Sequence, residues 1–181
     1  MANPNKASFY ANDPIFGVPG PHTATQTSAL WGVGDVVGFA DYQTGASSIN
    51  RGAGNFIYLQ GSNVTAIGQV VQISAGSAVL LNSANSASYL PVGVAAGNLS
   101  ATNVFGWVQV YGSCDYLLGT NANIAAGVPL YMAATAGNVV STPAAGSRIE
   151  GIVPIASYTS SDIYALVFLN NPRVIGVTAS L

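Results

Sequence analysis

From Leu30 onward the chain alternates short apolar runs with clusters of turn-forming residues. Gln69-Val70-Val71-Gln72-Ile73 has the period of two expected of a half-buried strand. Phe56-Ile57-Tyr58-Leu59 lies between Gly52-Ala53-Gly54-Asn55 and Gly61-Ser62-Asn63. Val79-Leu80-Leu81, Val92-Gly93-Val94 and Trp107-Val108-Gln109-Val110-Tyr111 continue the series. Val33, Val36, Val37 and Phe39 surround Gly34-Asp35 and lead to the turn-rich Gln43-Thr44-Gly45. No window holds the i, i+3, i+4, i+7 spacing of a helix for three turns, and Asn121–Ala126 is the one weak helical turn. The pattern predicts an all-β fold, a small sandwich or barrel modules.

Residues 1–29 read differently. Pro4, Pro14, Pro19 and Pro21 fall among Gly17, Gly20 and a Thr/Ser run from Thr23 to Ser28. Proline fixes φ and removes a donor, so neither a helix nor a central strand persists through such a stretch. An extended N-terminal arm is expected, with Phe9, Tyr10, Ile15, Phe16 and Val18 as apolar anchors for a partner. The β-rich body is expected over residues 30–173, followed by a C-terminal tail, 174–181.

The body also repeats. Ala66-Ile67-Gly68-Gln69-Val70-Val71 matches Ala125-Ala126-Gly127-Val128-Pro129-Leu130 in pattern. Pro91-Val92-Gly93-Val94-Ala95 matches Ile149-Glu150-Gly151-Ile152-Val153, and Val104–Val110 matches Asp162–Phe168. The shared offset, about 58 residues, is harder to reach by chance than any single match. It predicts two related β-modules of about three strands each, over residues 66–110 and 125–168, with a partial echo at Val33–Phe39.

Composition narrows the class. Four Lys/Arg and six Asp/Glu leave 6% of the 181 residues charged and a net charge of −2, against about 25% charged in an ordinary soluble domain. Mean hydropathy is +0.43, yet the longest clean apolar run, Ile163–Leu169, is far short of the ~18 residues of a membrane helix. A lone monomer with this surface has little charge to keep it apart from its neighbours, so coverage by copies of itself or by a larger assembly is expected. Four cations cannot neutralise many phosphates, so no nucleic-acid partner is expected, and no membrane partner either. The N-terminus lacks a basic segment followed by an apolar core, so no secretory signal is read and assembly in a cytoplasm is expected.

Reactive groups are few. His22, the single histidine, lies in the arm, where a general base would lack rigid support. Cys114 is the single cysteine and reads as a small buried hydrophobe at a strand end. Asp35, Asp115 and Asp162 sit at turn-capping places, and Glu150 beside Arg148 reads as rim charge. There is no phosphate-binding loop, dinucleotide fingerprint or nucleophile elbow. No catalytic residue, cofactor or metal is expected, and the chain does not read as an enzyme. Trp31, Trp107 and Tyr111 are candidates for a sugar-stacking platform but read better as core aromatics.

The run Gly54–Val71 resembles a pattern in small virion proteins of tailed bacteriophages, in which a G-x-F-[IV]-Y-L-x-G strand leads into a V-x-x-x-G-D-x-V strand. Pro91–Ala95, Phe105–Gly112, Ala125–Tyr131 and Arg148–Ile152 are similar in the same order, and Val167–Pro172 fits a closing V-x-L-N-x-P. Gln69 stands where Asp is frequent, which implies a weaker cap at that turn, and residues 1–28 match no part of the pattern. The likeness is to capsid decoration, or cement, proteins. It implies a β-rich protein, usually a homotrimer, on the exterior of an icosahedral capsid. There it clamps neighbouring copies of the major capsid protein at three-fold and quasi-three-fold positions. Another virion part, such as a head fibre, tail or adaptor protein, and a carbohydrate-binding or adhesin β-module are the alternative readings.

Overall fold

The computed structural model describes residues 27–29, 31–39, 54–82, 90–119, 123–143, 148–159 and 164–175, and every regular element among them is a strand. The fold is all-β. The strands are β1 (Val36–Phe39), β2 (Gly54–Gln60), β3 (Val70–Ser74), β4 (Ser77–Leu80), β5 (Val92–Ala95), β6 (Phe105–Leu118), β7 (Leu130–Met132), β8 (Val139–Val140), β9 (Arg148–Pro154) and β10 (Tyr164–Ile175). They form one mixed sheet in the order β1-β2-β4-β3-β5-β6-β10-β9-β7-β8.

Local chemistry accounts for the joints. β3 and β4 make a hairpin whose two turn residues, Ala75 (φ 46°) and Gly76 (φ 80°), both lie in the left-handed region that a tight hairpin turn demands. Asp35 caps the turn before β1, its Oδ2 accepting from the Gly32 amide at 2.9 Å. The turn before β3 is capped by Gln69, whose buried Oε1 accepts from the amides of Thr65 (2.9 Å) and Ala66 (3.0 Å). The amide side chain thus satisfies two backbone donors of that turn.

β6 is the hinge of the architecture. Its first half pairs with β2 and β5, and its second half pairs with β10. Between them the register against β2 steps from Phe56↔Gln109 to Asn55↔Tyr111, leaving Val110 as an extra residue, and Gly112 takes φ 101°. Gln109 is fully buried there, and its Nε2 donates to the carbonyls of Ser113 (2.8 Å) and Tyr111 (3.3 Å). That amide holds the strand together across the bulge.

The pairings close into two five-strand circuits. β2, β4, β3, β5 and the first half of β6 form the first, closed by the parallel pair Gln60↔Ser77 and by β2 against β6. The second half of β6 with β10, β9, β7 and β8 forms the second, closed by the parallel bridge Gly119↔Val139. Both are small barrels that share one strand, and closure removes edges that would otherwise pair with other chains. Leu59, Val64, Val71, Ala78, Ala95, Leu99 and Val108 fill the first. A larger cluster joins second-barrel residues such as Leu117, Ile124, Leu130, Met132, Val139 and Val167 to the outer face of the first barrel, including Tyr58, Val70, Val92, Val94 and Trp107.

The two barrels share hydrogen bonds 59 residues apart. Gly68 N–H donates to the Ala95 carbonyl at 2.9 Å, and Gly127 N–H to the Pro154 carbonyl at 2.8 Å. Ala96 N–H donates to Trp107 at 2.9 Å, and Ile155 N–H to Leu166 at 3.0 Å. Val94↔Gln109 and Ala95↔Val108 are likewise matched by Val153↔Phe168 and Pro154↔Val167.

Six sequence expectations change. The matches of Pro91–Ala95 and Val104–Val110, expected at an offset of about 58, fall at 59, which shifts each by one residue and so to the other face. Asp115 lies inside β6 and not at a turn. Of residues 121–126, those described are 123–126, where Ile124 bridges Tyr158 and a turn follows, with no helical turn. Cys114 is buried but lies well inside β6, away from a strand end. β10 runs to Ile175, so Val174 and Ile175 belong to the last strand and not to a tail. Each barrel also takes more than the three strands expected of a module.

Candidate functional site

The most distinctive described surface is apolar. On the outside of the second barrel, Val153 of β9 pairs with Phe168 of β10, and Ile155 sits beside Leu166 through its backbone bond. Tyr111 of β6 pairs with Asn170, and its ring meets that of Phe168 edge-on, centroids 5.6 Å apart at 75°. These five large side chains are between 38% and 51% exposed and are contiguous. Strand alternation explains the placement. Ala165, Val167 and Leu169 point into the core, so Leu166 and Phe168 must point out.

Beside the strip is a groove of about 330 Å³ lined by Gly127, Val128, Pro129, Arg148, Glu150 and their β9 neighbours up to Val153. Glu150 Oε2 accepts from Arg173 Nη2 at 3.3 Å, and both side chains are well exposed. The carboxylate therefore has its partner on β10, directly opposite in register, rather than in the adjacent Arg148. The groove offers one carboxylate, Glu150, and one guanidinium, Arg148. That set can hold an anion weakly but supplies no nucleophile with an adjacent base. Among the described residues no three His, Cys, Asp or Glu side chains come together as a metal-binding group.

The aromatic candidates separate. Trp107 is buried, with Trp31 edge-on at 5.3 Å and Tyr58 at 5.0 Å, so these rings form a core layer. Tyr111 lies past the bulge with Phe168, and the three rings do not make one platform. The proposed anchors Phe9, Tyr10, Ile15, Phe16 and Val18, and also His22 and Asp162, lie outside the described residues. The strip at Tyr111, Val153, Ile155, Leu166 and Phe168 is not among the sequence candidates. Its signal was the run Ile163–Leu169, apolar at both parities, as in a strand covered on both faces.

Comparison of the chain with family models, with curated proteins and with solved structures finds no match.

Proposed function

We propose that the protein is a structural virion component, a capsid decoration protein that binds the exterior of an icosahedral phage head and bridges major capsid subunits. The observation that carries the reading is the exposed surface itself. Among the described residues the second barrel presents a contiguous apolar strip, in a chain that is only 6% charged. Such surfaces mark protein association. The strand-and-turn motifs that resemble decoration proteins supply β2, β3, β5, β6, β7, β9 and β10, the frame of both barrels. In this reading the body is a homotrimer without cofactor or catalytic role, and the arm anchors Phe9, Tyr10, Ile15, Phe16 and Val18 dock on neighbouring capsid subunits.

Co-sedimentation with empty phage shells tests it. Saturable binding is expected, and it should change little between low salt and about 0.5 M, because apolar burial is insensitive to screening. Failure to bind any shell, or saturable micromolar binding to a glycan instead, would remove the reading.

A further inference from the structure

The same backbone frame is covered in one barrel and bare in the other. Positions 94, 96, 107 and 109 of the first barrel hold Val, Ala, Trp and Gln, and they are 0%, 1%, 4% and 0% exposed. Their counterparts 59 residues on, Val153, Ile155, Leu166 and Phe168, share the strand register and backbone bonds but are 49%, 51%, 38% and 39% exposed. An antiparallel face turned to water normally alternates to polar side chains. Here the change runs the other way. Ala96 is replaced by Ile155, Gln109 by Phe168 and Trp107 by Leu166, with Val kept at the fourth place, so the bare face is apolar at all four positions and loses the one polar side chain of the covered face. A face that solvent bathes permanently gives no reason for that substitution pattern, whereas a second protein surface does.

The occupant can be argued from what covers the first barrel. Its outer face shares a continuous core with the second barrel of the same chain, and Trp31 lies across Trp107. The second barrel of this chain thus shares in covering this frame, together with Trp31. The strip holds no charged side chain that would select a charged partner. The other exposed large hydrophobics among the described residues are Val33 and Val36, at and before β1. β1 stands at the opposite end of the strand order from the second barrel. A contact between the two patches joins different surfaces of two copies, the arrangement that closes rings.

We propose that Tyr111, Val153, Ile155, Leu166 and Phe168 form a self-association surface that is buried against a second copy of this chain. Five side chains exposed to this degree offer on the order of 400 Å², about half the area per partner of a standard interface. The remainder comes from the polar rim that surrounds such apolar centres. The inference names the surface for the homotrimer proposed above and rests on that reading only for the number of copies.

Sedimentation velocity of the full-length protein, with no shells present, is the test. The unmodified chain should be an oligomer at micromolar concentration. Phe168→Glu and Leu166→Glu should each weaken association by at least about 100-fold with an unchanged far-ultraviolet spectrum. Ile155→Lys, one residue beyond the end of β9, should do the same without a substitution inside a strand. A monomeric unmodified protein, whatever else covers the strip, or folded variants that keep the unmodified mass, would overturn the proposal. An oligomer that ignores shells would leave this surface standing and remove the decoration role. A monomer that coats shells would do the reverse.

Discussion

In the first barrel Trp107 sits under Trp31 with Tyr58 at its side. In the second, Leu166 occupies the same place in the frame and looks out at solvent. The two positions share a backbone bond, since each accepts the amide eleven residues before it, from Ala96 and from Ile155, while on the other side Trp107 pairs with Tyr58 and Leu166 falls at a register shift against β6. Pairing decides which side chains share a face, and the surroundings decide whether that face is core or contact surface. A repeated unit therefore has two fates for one face. Buried in the first barrel it adds to the stability of the chain, and in the second barrel the matching face is exposed.

Exchanging matched residues across the two barrels tests this difference. The largest effect is expected from Trp107→Ala, which should cost about 3–5 kcal/mol in urea unfolding because a fully packed ring is lost. Leu166→Ala, measured where the protein is dilute, should cost less than about 1 kcal/mol. Equal losses at both positions would mean that the second face is covered within one chain.

Gly54 and Ser113, which lie on either side of the β6 bulge, on β2 and on β6 itself, make the second comparison. A Cβ at Gly54 would overlap the Tyr111 carbonyl oxygen where β2 lies against the bulge of β6. Gly54→Ala should therefore cost about 3 kcal/mol, at the upper end of overpacking penalties, while Ser113→Ala should be near neutral. Thermal unfolding of the two variants side by side would show it.

Gln109 and Phe168 form the third pair. Gln109→Leu keeps the bulk but removes the donor shared by the Tyr111 and Ser113 carbonyls, and should cost about 2 kcal/mol. Phe168→Gln should leave unfolding of the dilute chain almost unchanged while raising solubility. The smallest effect is expected at Arg173→Ala. Its pair with Glu150 is exposed on both sides, so the loss should be within about 1 kcal/mol and should vanish in high salt.

Much of the fold was legible before the structure. The alternation at Gln69–Ile73 and the glycine-bounded run Phe56–Leu59 became β3 and β2 because period and punctuation are local properties. The length of β6 was not legible. Cys114 reads as a strand end, whereas the buried amide of Gln109, bonded across the bulge, and the pairing with β10 carry the strand through to Leu118. The closing pairs Gln60↔Ser77 and Gly119↔Val139 are single contacts without a pattern to betray them. The candidate surface was hidden for a related reason. Leu166 and Phe168 look like core residues in a run such as Ile163–Leu169, and only the pairing of β9 with β10 shows which parity faces out.

The central claim is that the outer face of the first barrel is buried by its own chain and that of the second by another copy. Hydroxyl-radical footprinting of the full-length protein across a dilution series reads both faces in one sample. Trp107 should stay protected at every concentration. Phe168 and Tyr111 should be protected when the protein is concentrated and become reactive as the oligomer dissociates. Protection of Phe168 that persists in the dilute monomer, or reactivity that never falls as concentration rises, would contradict the account.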